Sequence, residues 1–325
     1  MLGGGGLVGH AWHLGILAGL ADATGWDGRA ASLIVGTSAG AVAGAELRAG
    51  LHPVELLRPG VGAAPVTVPQ PVLHPRTRRP AALATAGRAL VARAPAGLVL
   101  AGLLPRGRRD PGLISDAVAR LFPPPGRWPV GLWVCTVRLA DGRRVVFGDD
   151  DPSAPAEADL ATVVAASCAM GGFFRPVAID GVDYVDGGSR SVTNADLAAG
   201  AGADLVVVSS PMSLDRSAAR RVGRAGDAPV DHRLHRLHRL HRLHRLVHTR
   251  RLARELAEIR GTGTAVVAFE PGPDDLAVMG GIAASMDFER RVTVAAQARA
   301  TAARLVGSPA LAPVRGVLEA AARPG

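Results

Sequence analysis

The feature that most constrains the fold is a single stretch, residues 31–47, with the sequence ASLIVGTSAGAVAGAEL. It opens with a short apolar run, passes through the small residues GTSAG, and continues into an alanine-rich segment. A short apolar run before glycine favours a buried strand, while alanine favours a helix. The stretch therefore predicts a strand, a tight turn and a helix in direct succession, a unit from which α/β domains are built.

The turn within this stretch matches the pattern G-x-S-x-G, with Gly36, Ser38 and Gly40 at its fixed positions. In a nucleophile elbow the serine sits in a strained turn that exposes Oγ, and bulky side chains two positions away would clash. The following helix directs backbone N–H groups at any anion formed there. Two interpretations follow: Ser38 is a nucleophile, or the segment is only a tight turn.

Four consecutive glycines, residues 3–6, stand almost at the start of the sequence, and Gly9 follows them. A folded protein keeps such a run where backbone takes unusual dihedrals or approaches another group closely. An uncrowded loop that leads into a helix also presents unpaired N–H donors. The amides of these opening glycines are therefore candidates for an oxyanion hole beside Ser38.

A nucleophilic serine also needs a base. Five of the ten histidines lie in the repeat described below, and His248 lies just after it. The others are His10, His13, His52 and His74. None stands late in the chain behind an acidic residue, as a Ser-Asp-His order would require. Asp186 is the better candidate, because Gly187 and Gly188 permit a turn that directs its carboxylate out of a strand end. Taken alone, an Asp-Gly-Gly sequence is more often a plain turn.

Elsewhere the pattern alternates helices with strands. The expected helices begin near Val8, at Pro111 with Asp110 as the cap, and at Asp159, with one or two more around residues 81–104. The expected strands form a hairpin over residues 132–148 and occupy the apolar runs 203–210 and 264–271, and further turns are expected at 180–181 and 186–188. Apolar runs of this kind are typical of a sheet covered on both faces, so the chain is predicted to be a layered α/β protein.

A low-complexity segment, HRLHRLHRLHRLHRL, covers residues 232–246. Three residues advance a helix by about 300°, so successive leucines drift by roughly 60° and form no single stripe. The favoured interpretation is a tandem expansion in a solvated helix or loop that continues into RRLARELAEIR. Contact with anionic lipid headgroups and metal binding by histidine are the alternatives.

The net charge of +9 would suit nucleic acid or an anionic membrane surface. No nucleic-acid recognition module is visible, so no nucleic-acid partner is expected. Cys135 and Cys168 lie in apolar stretches and are expected to be small buried hydrophobes. No secretory signal and no bilayer-spanning run is seen, which predicts a cytoplasmic protein and leaves peripheral membrane contact open.

The glycine loop, the elbow and the later Asp-Gly-Gly, in this order, resemble the patatin-like phospholipase family. The strongest matches are GGGGLVG, GTSAG and GVDYVDGGSRSVTNADL. The resemblance implies an α/β three-layer α/β/α sandwich with a mainly parallel central sheet. It also implies Ser38 as nucleophile, Asp186 as base, Gly4 to Gly6 as oxyanion hole, and no metal or cofactor. The motif glycines that support these residues are Gly9, Gly36, Gly40, Gly187 and Gly188.

The same resemblance predicts one catalytic domain over residues 1–306, with a helical insertion at 212–260 and a tail at 307–325. Three features depart from the family pattern. Val8 stands where a basic residue is usual, and only Met1 and Leu2 precede the glycines, so either the start is assigned too late or a strand is absent. Residues 170–174 (MGGFF) lack a proline that relatives commonly carry before an aromatic.

The expected activity is hydrolysis of lipid or carboxylic esters, and the alternative is a catalytically weak lipid-binding or membrane-binding protein that retains the fold. The apolar residues Leu7, Trp12, Phe173 and Phe174 either line an acyl pocket or, as is more usual for such residues, belong to the core. The acyl chain, the headgroup and the oligomeric state stay open.

Overall fold

The computed structural model describes residues 1–58, 103, 106–123, 126–149, 151–155, 157–224 and 232–323. The α-helices are α1 Gly6–Thr24, α2 Ala39–Arg48, α3 Pro53–Leu56, α4 Gly112–Leu121, α5 Leu160–Ser167, α6 Arg216–Arg224, α7 His232–Gly261, α8 Pro273–Met279, α9 Arg291–Val306 and α10 Ala312–Ala321. The strands are β1 Ile34–Gly36, β2 Leu132–Arg138, β3 Arg144–Phe147, β4 Val177–Ile179, β5 Val182–Asp186, β6 Leu205–Ser209 and β7 Ala265–Phe269.

The strands form a mixed sheet whose two parts meet at the start of the chain. One part has the order β1-β2-β5-β4, with β3 also paired to β2, and the other pairs β6 with β7. The pairs β1–β2 and β6–β7 are parallel, while β3, β4 and β5 join by antiparallel pairing. Leu2 makes parallel bridges to both Gly36 and Ser209, so Met1 and Leu2 occupy the strand position between β1 and β6. These two residues therefore pair as the strand that was expected before the glycines.

Helices cover both faces of this sheet. On one face α1, α2, α5 and α9 enclose the main core, which includes Trp12, Leu132, Tyr184 and Phe269. On the other face Leu252, Leu256 and Ile259 of α7 pack on Val206 and Val208. Alternate residues of β6 and β7 thus face different helical layers, which gives the three-layer α/β/α fold expected from the sequence.

Most of the predicted elements are present. The strand-turn-helix at residues 31–47, the hairpin in 132–148, the helix capped by Asp159 and the strands in 203–210 and 264–271 are confirmed. The first helix begins at Gly6, two residues before the predicted start. Helix α4 begins at Gly112 because Pro111 takes the cap position, while the Asp110 carboxylate accepts the Gly112 N–H at 3.0 Å. The helices expected around residues 81–104 lie almost entirely outside the described residues.

The repeat is helical and continues without interruption to Gly261, so of the helix and the loop that the sequence left open, the structure has the helix. Helix α7 connects the parallel strands β6 and β7, so it forms the crossover helix of a β-α-β unit. Within the described ranges, no helix is both long and apolar enough to cross a bilayer. The predicted boundaries of the insertion and of the tail stay predictions.

Candidate active site

Ser38 lies at the sharp turn between β1 and α2. Its φ of 53° and ψ of −117° place it in the strained region that few residues other than glycine adopt. A Cβ on Gly40 would collide with the backbone of Leu2, and a Cβ on Gly36 would lie 2.6 Å from Ala41 Cα. Small residues are therefore required on both sides of the serine, as the sequence pattern predicted.

Ser167, at the end of α5, links the elbow to strand β2 by hydrogen bonds. Its buried hydroxyl accepts the Ser38 N–H at 2.9 Å and donates to the carbonyl of Cys135 on β2 at 2.7 Å. The Ser38 amide is thereby occupied, so it does not face a substrate. The Ala39 amide, at the first position of α2, makes no hydrogen bond to any of the described residues.

Asp186 is the last residue of β5, and the register of the sheet explains why it faces Ser38. β1 runs parallel to β2 with Gly36 opposite Val134, whereas β5 runs antiparallel with Asp186 opposite Thr136. Two residues beyond Gly36, the chain has advanced along β2 to the level of Thr136. Ser38 and Asp186 therefore flank β2 at the same height, one on each side.

The Asp186 carboxylate is buried, with 8% of the residue exposed. Burial raises its pKa from 3.8 to about 6, while hydrogen bonds from the Gly188 N–H and the Ser38 side chain act in the opposite direction. The Gly188 N–H lies 2.7 Å from Oδ1. A carboxylate with this pKa is ionised at neutral pH and is a stronger base than a free aspartate.

The glycine loop lies directly against the elbow, since a Cβ on Gly4 would be 3.4 Å from Ser38 Cβ. The Gly4 N–H, however, donates to the Val192 carbonyl at 2.8 Å. This bond corrects the expectation that all three glycines offer free donors. Among the described residues, the amides of Gly5 and Gly6 make no hydrogen bond, as expected for the N-terminus of α1.

Gly6 shows why the loop must consist of glycine. Its φ is +64°, and a Cβ there would lie 2.7 Å from the Ser285 carbonyl oxygen. Gly5 is equally confined, because its Cβ would lie 2.8 Å from Pro211 Cγ. Both the dihedral and the close packing exclude a side chain, so the run is a steric requirement of this loop.

His13 is a supporting residue that the sequence patterns did not reveal. It is fully buried in α1, and its Nε2 lies 2.7 Å from the Gly3 carbonyl oxygen while its Nδ1 lies 2.7 Å from Ser209 Oγ. Because a carbonyl only accepts, we assign the ring proton to Nε2 and let Nδ1 accept from the Ser209 hydroxyl. Burial lowers the pKa of His13 to about 3, which keeps the ring neutral.

The segment after Asp186 ties the elbow to the glycine loop. Asn194 is buried in a left-handed conformation, and its Nδ2 donates to Thr37 Oγ1 at 3.0 Å and to the Ser191 carbonyl at 2.7 Å. The carbonyl of Val192 in the same segment accepts from Gly4. Residues 191–195, called the support segment below, therefore contact both of the elements that approach Ser38.

The aromatic residues near the motifs belong to the core. Trp12 is fully buried in the main core, and Phe173 and Phe174 form a separate buried cluster with Ala169. Cys135 and Cys168 are free and buried, as expected. Burial raises the pKa of the Cys168 thiol, which lies near both Ser38 and Asp186, so the thiol stays protonated.

The comparisons with known proteins bear on this geometry. The family model for patatin-like phospholipase matches residues 1–199 of the 325. The chain belongs to the patatin-like phospholipase family. The comparison with curated proteins gives no match for the chain.

The patatin-like match covers the glycine loop, the elbow, Asp186 and the whole support segment. It ends before β6, α7 and β7, although β6 packs directly beside Met1 and Leu2. Members of this family are lipid acyl hydrolases. Within the described part of the chain, no group of three or more His, Cys, Asp or Glu side chains could hold a metal ion.

Proposed function

We propose that the protein is a serine acyl hydrolase that cleaves lipid or carboxylic esters through a Ser38-Asp186 dyad. The observation that supports this most directly is the strained Ser38 turn beside the buried Asp186 carboxylate, whose pKa the Ser38 side chain lowers. In this proposal Asp186 acts on the Ser38 hydroxyl directly, without a histidine between them. The oxyanion donors in this proposal are the amides of Gly5 and Gly6, with Gly4 as their structural support.

In the first step Asp186 accepts the hydroxyl proton as Ser38 Oγ attacks the ester carbonyl, and the oxyanion faces the free amides. Collapse of this intermediate breaks the ester C–O bond, and protonated Asp186 returns the proton to the departing alcohol. Asp186 then removes a proton from water as the water oxygen attacks the acyl-enzyme, and protonated Asp186 returns that proton to Ser38 Oγ when the bond between Oγ and the acyl carbon breaks and the acid leaves. The carboxylate is regenerated, and the hydrolysis consumes one water.

The raised pKa of Asp186 reduces the difference in pKa between this base and the Ser38 hydroxyl, but a large difference is left. Most of the rate must therefore come from fixed donors at the oxyanion. Loss of one such donor typically costs roughly 10²- to 10³-fold in rate. A loop that supplies such donors must be held in a fixed position, and several contacts hold the glycine loop.

Covalent labelling with a fluorophosphonate probe tests the proposal. We expect labelling at Ser38 in the wild type, none in Ser38→Ala, and slower labelling in Asp186→Asn, together with hydrolysis of a short-chain p-nitrophenyl ester. Ser210→Ala serves as a matched control, because this buried serine lies outside the dyad. Equal ester turnover in the wild type and Ser38→Ala would refute the proposal.

The alternative of a weakly catalytic lipid-binding protein is favoured by the basic sequences of α6 and α7, RSAARRVGR and the His-Arg-Leu repeat. It predicts that the protein sediments with anionic vesicles while Ser38 stays unlabelled. Membrane contact and a cytoplasmic location stay predictions. If Ser38 were labelled and the protein also bound vesicles, it would be a hydrolase that contacts membranes.

A further inference from the structure

Helix α7 was expected from its repeat to be a solvated expansion, yet two of its charged side chains are buried. Arg245, inside the repeat, is 5% exposed, and Glu255, ten residues later, is 1% exposed. Charged groups are buried at a large free-energy cost unless they are paired and hydrogen-bonded. Their partners therefore show what the burial accomplishes.

Glu255 binds the support segment at three points. Its carboxylate accepts from Ser191 Oγ and from Thr193 Oγ1, both at 2.6 Å, and from the Ala195 N–H at 3.1 Å. Arg251 on the same helix adds a fourth contact at 2.9 Å. Charge-assisted hydrogen bonds of this kind are roughly twice as strong as neutral ones. They hold the segment whose Val192 carbonyl accepts the Gly4 N–H.

Arg245 holds the other neighbour of the glycine loop. Its guanidinium donates to the carbonyls of Pro211 at 2.7 Å and of Ser213 at 3.2 Å. The Pro211 ring in turn packs against Gly5 and Gly9, where a Cβ would lie 2.8 and 3.2 Å from its Cγ. Burial lowers the pKa of Arg245 only to about 10, so the side chain stays charged at neutral pH.

We propose that Arg245 and Glu255 are positioning residues, through which helix α7 holds the glycine loop in register with Ser38. Glu255 acts on Gly4 through Val192, and Arg245 acts on Gly5 through Pro211. The role in catalysis rests on the proposed function of the loop as oxyanion hole, whereas the role in holding the loop does not. Neither residue touches a substrate.

The test compares Glu255→Gln and Arg245→Gln with Glu258→Gln and Arg250→Gln, which alter exposed residues of the same helix. The first readout is amide hydrogen exchange of residues 3–9. We expect exchange at Gly4 in Glu255→Gln to rise about tenfold, the amount that corresponds to loss of roughly one hydrogen bond. The control variants should match the wild type.

The second readout is ester hydrolysis per serine titrated by the fluorophosphonate probe. We expect kcat per titrated serine to fall roughly tenfold to a hundredfold with KM within about twofold, because misplaced donors lose transition-state contacts first. A purely structural role would lower the titratable fraction and leave kcat per titrated serine unchanged. That result would overturn the catalytic part of the inference.

The two proposals fail in different ways. If wild-type Ser38 is not labelled, the proposed function fails, and hydrogen exchange alone decides whether α7 holds the loop. If Ser38 is labelled but exchange and kcat in both variants match the controls, the positioning role fails and the hydrolase stands. Should Glu255→Gln not fold, Thr193→Val removes one of its donors and is expected to change both readouts in the same direction by a smaller factor.

Discussion

The elbow formed by β1 and α2 and the crossover helix α7 both support Ser38, but their sequences could hardly differ more. The elbow can be recognised from five consecutive residues, because a serine in a strained turn requires small neighbours at fixed positions. Helix α7 begins as a three-residue repeat with no apolar stripe, and only its contacts reveal two buried charges. Local strain leaves a local signature in sequence, whereas long-range support leaves almost none.

The first prediction sharpens the comparison within α7 itself. Leu252 is 1% exposed against β6, while Leu243 in the repeat is 57% exposed. We expect Leu252→Ala to lower the free energy of unfolding by about 2–5 kcal/mol through a core cavity, and Leu243→Ala to change it by less than about 0.5 kcal/mol. Urea denaturation followed by circular dichroism measures both. Equal effects would mean that the repeat and its continuation pack alike.

The second prediction concerns the motif region and uses the pKa of Asp186. This pKa is about 6 in the folded protein, against the ordinary value of 3.8 that applies in the unfolded chain. The folded state binds the proton more tightly, so the stability that this group contributes is full below pH 3.8 and is lost as the pH rises through 6. The difference corresponds to roughly 3 kcal/mol. Asp186→Asn should therefore be more stable than the wild type by up to that amount at pH 8, and not at pH 3.5.

Activity is expected to rise with pH, whereas the stability contributed by Asp186 falls, because the base acts only when it is ionised. We expect kcat/KM of the wild type to rise with pH and reach half its maximum near pH 6. Thermal unfolding of both proteins across this range, beside the pH profile of ester hydrolysis, tests the pair of expectations. A half-maximum near pH 4 would show that Asp186 is not desolvated in the free enzyme.

The third and smallest effect is expected at His13, which supports the glycine loop without belonging to a motif. His13→Asn cannot span Gly3 and Ser209 together, so we expect kcat per titrated serine to fall about tenfold, equivalent to roughly 1.4 kcal/mol. His10→Asn is the matched control, because His10 is also buried in α1 but pairs with Glu46 at 2.6 Å. If the two variants lose kcat equally, His13 has no special relation to the loop.

The sequence predicted the fold class, most element boundaries within two residues, and the candidate dyad. These were accessible because apolar periodicity and glycine positions report local dihedrals and burial. The occupied Gly4 amide was not accessible, since its acceptor, Val192, lies far along the chain. The roles of Ser167, His13 and Glu255 escaped for the same reason: a buried polar residue looks like any surface residue until its partner is known.

By itself, the sequence determined that this chain is a layered α/β protein with a strained serine turn, a glycine loop and an Asp-Gly-Gly turn. Each of these depends on steric limits within a few consecutive residues, and such limits can be read from the residue types at those positions. Only the tertiary structure decided that Ser38 and Asp186 flank β2 at one height, which glycine amides stay unpaired, and that α7 reaches the loop. Those outcomes depend on strand register and long-range hydrogen bonds, which no short stretch of sequence encodes.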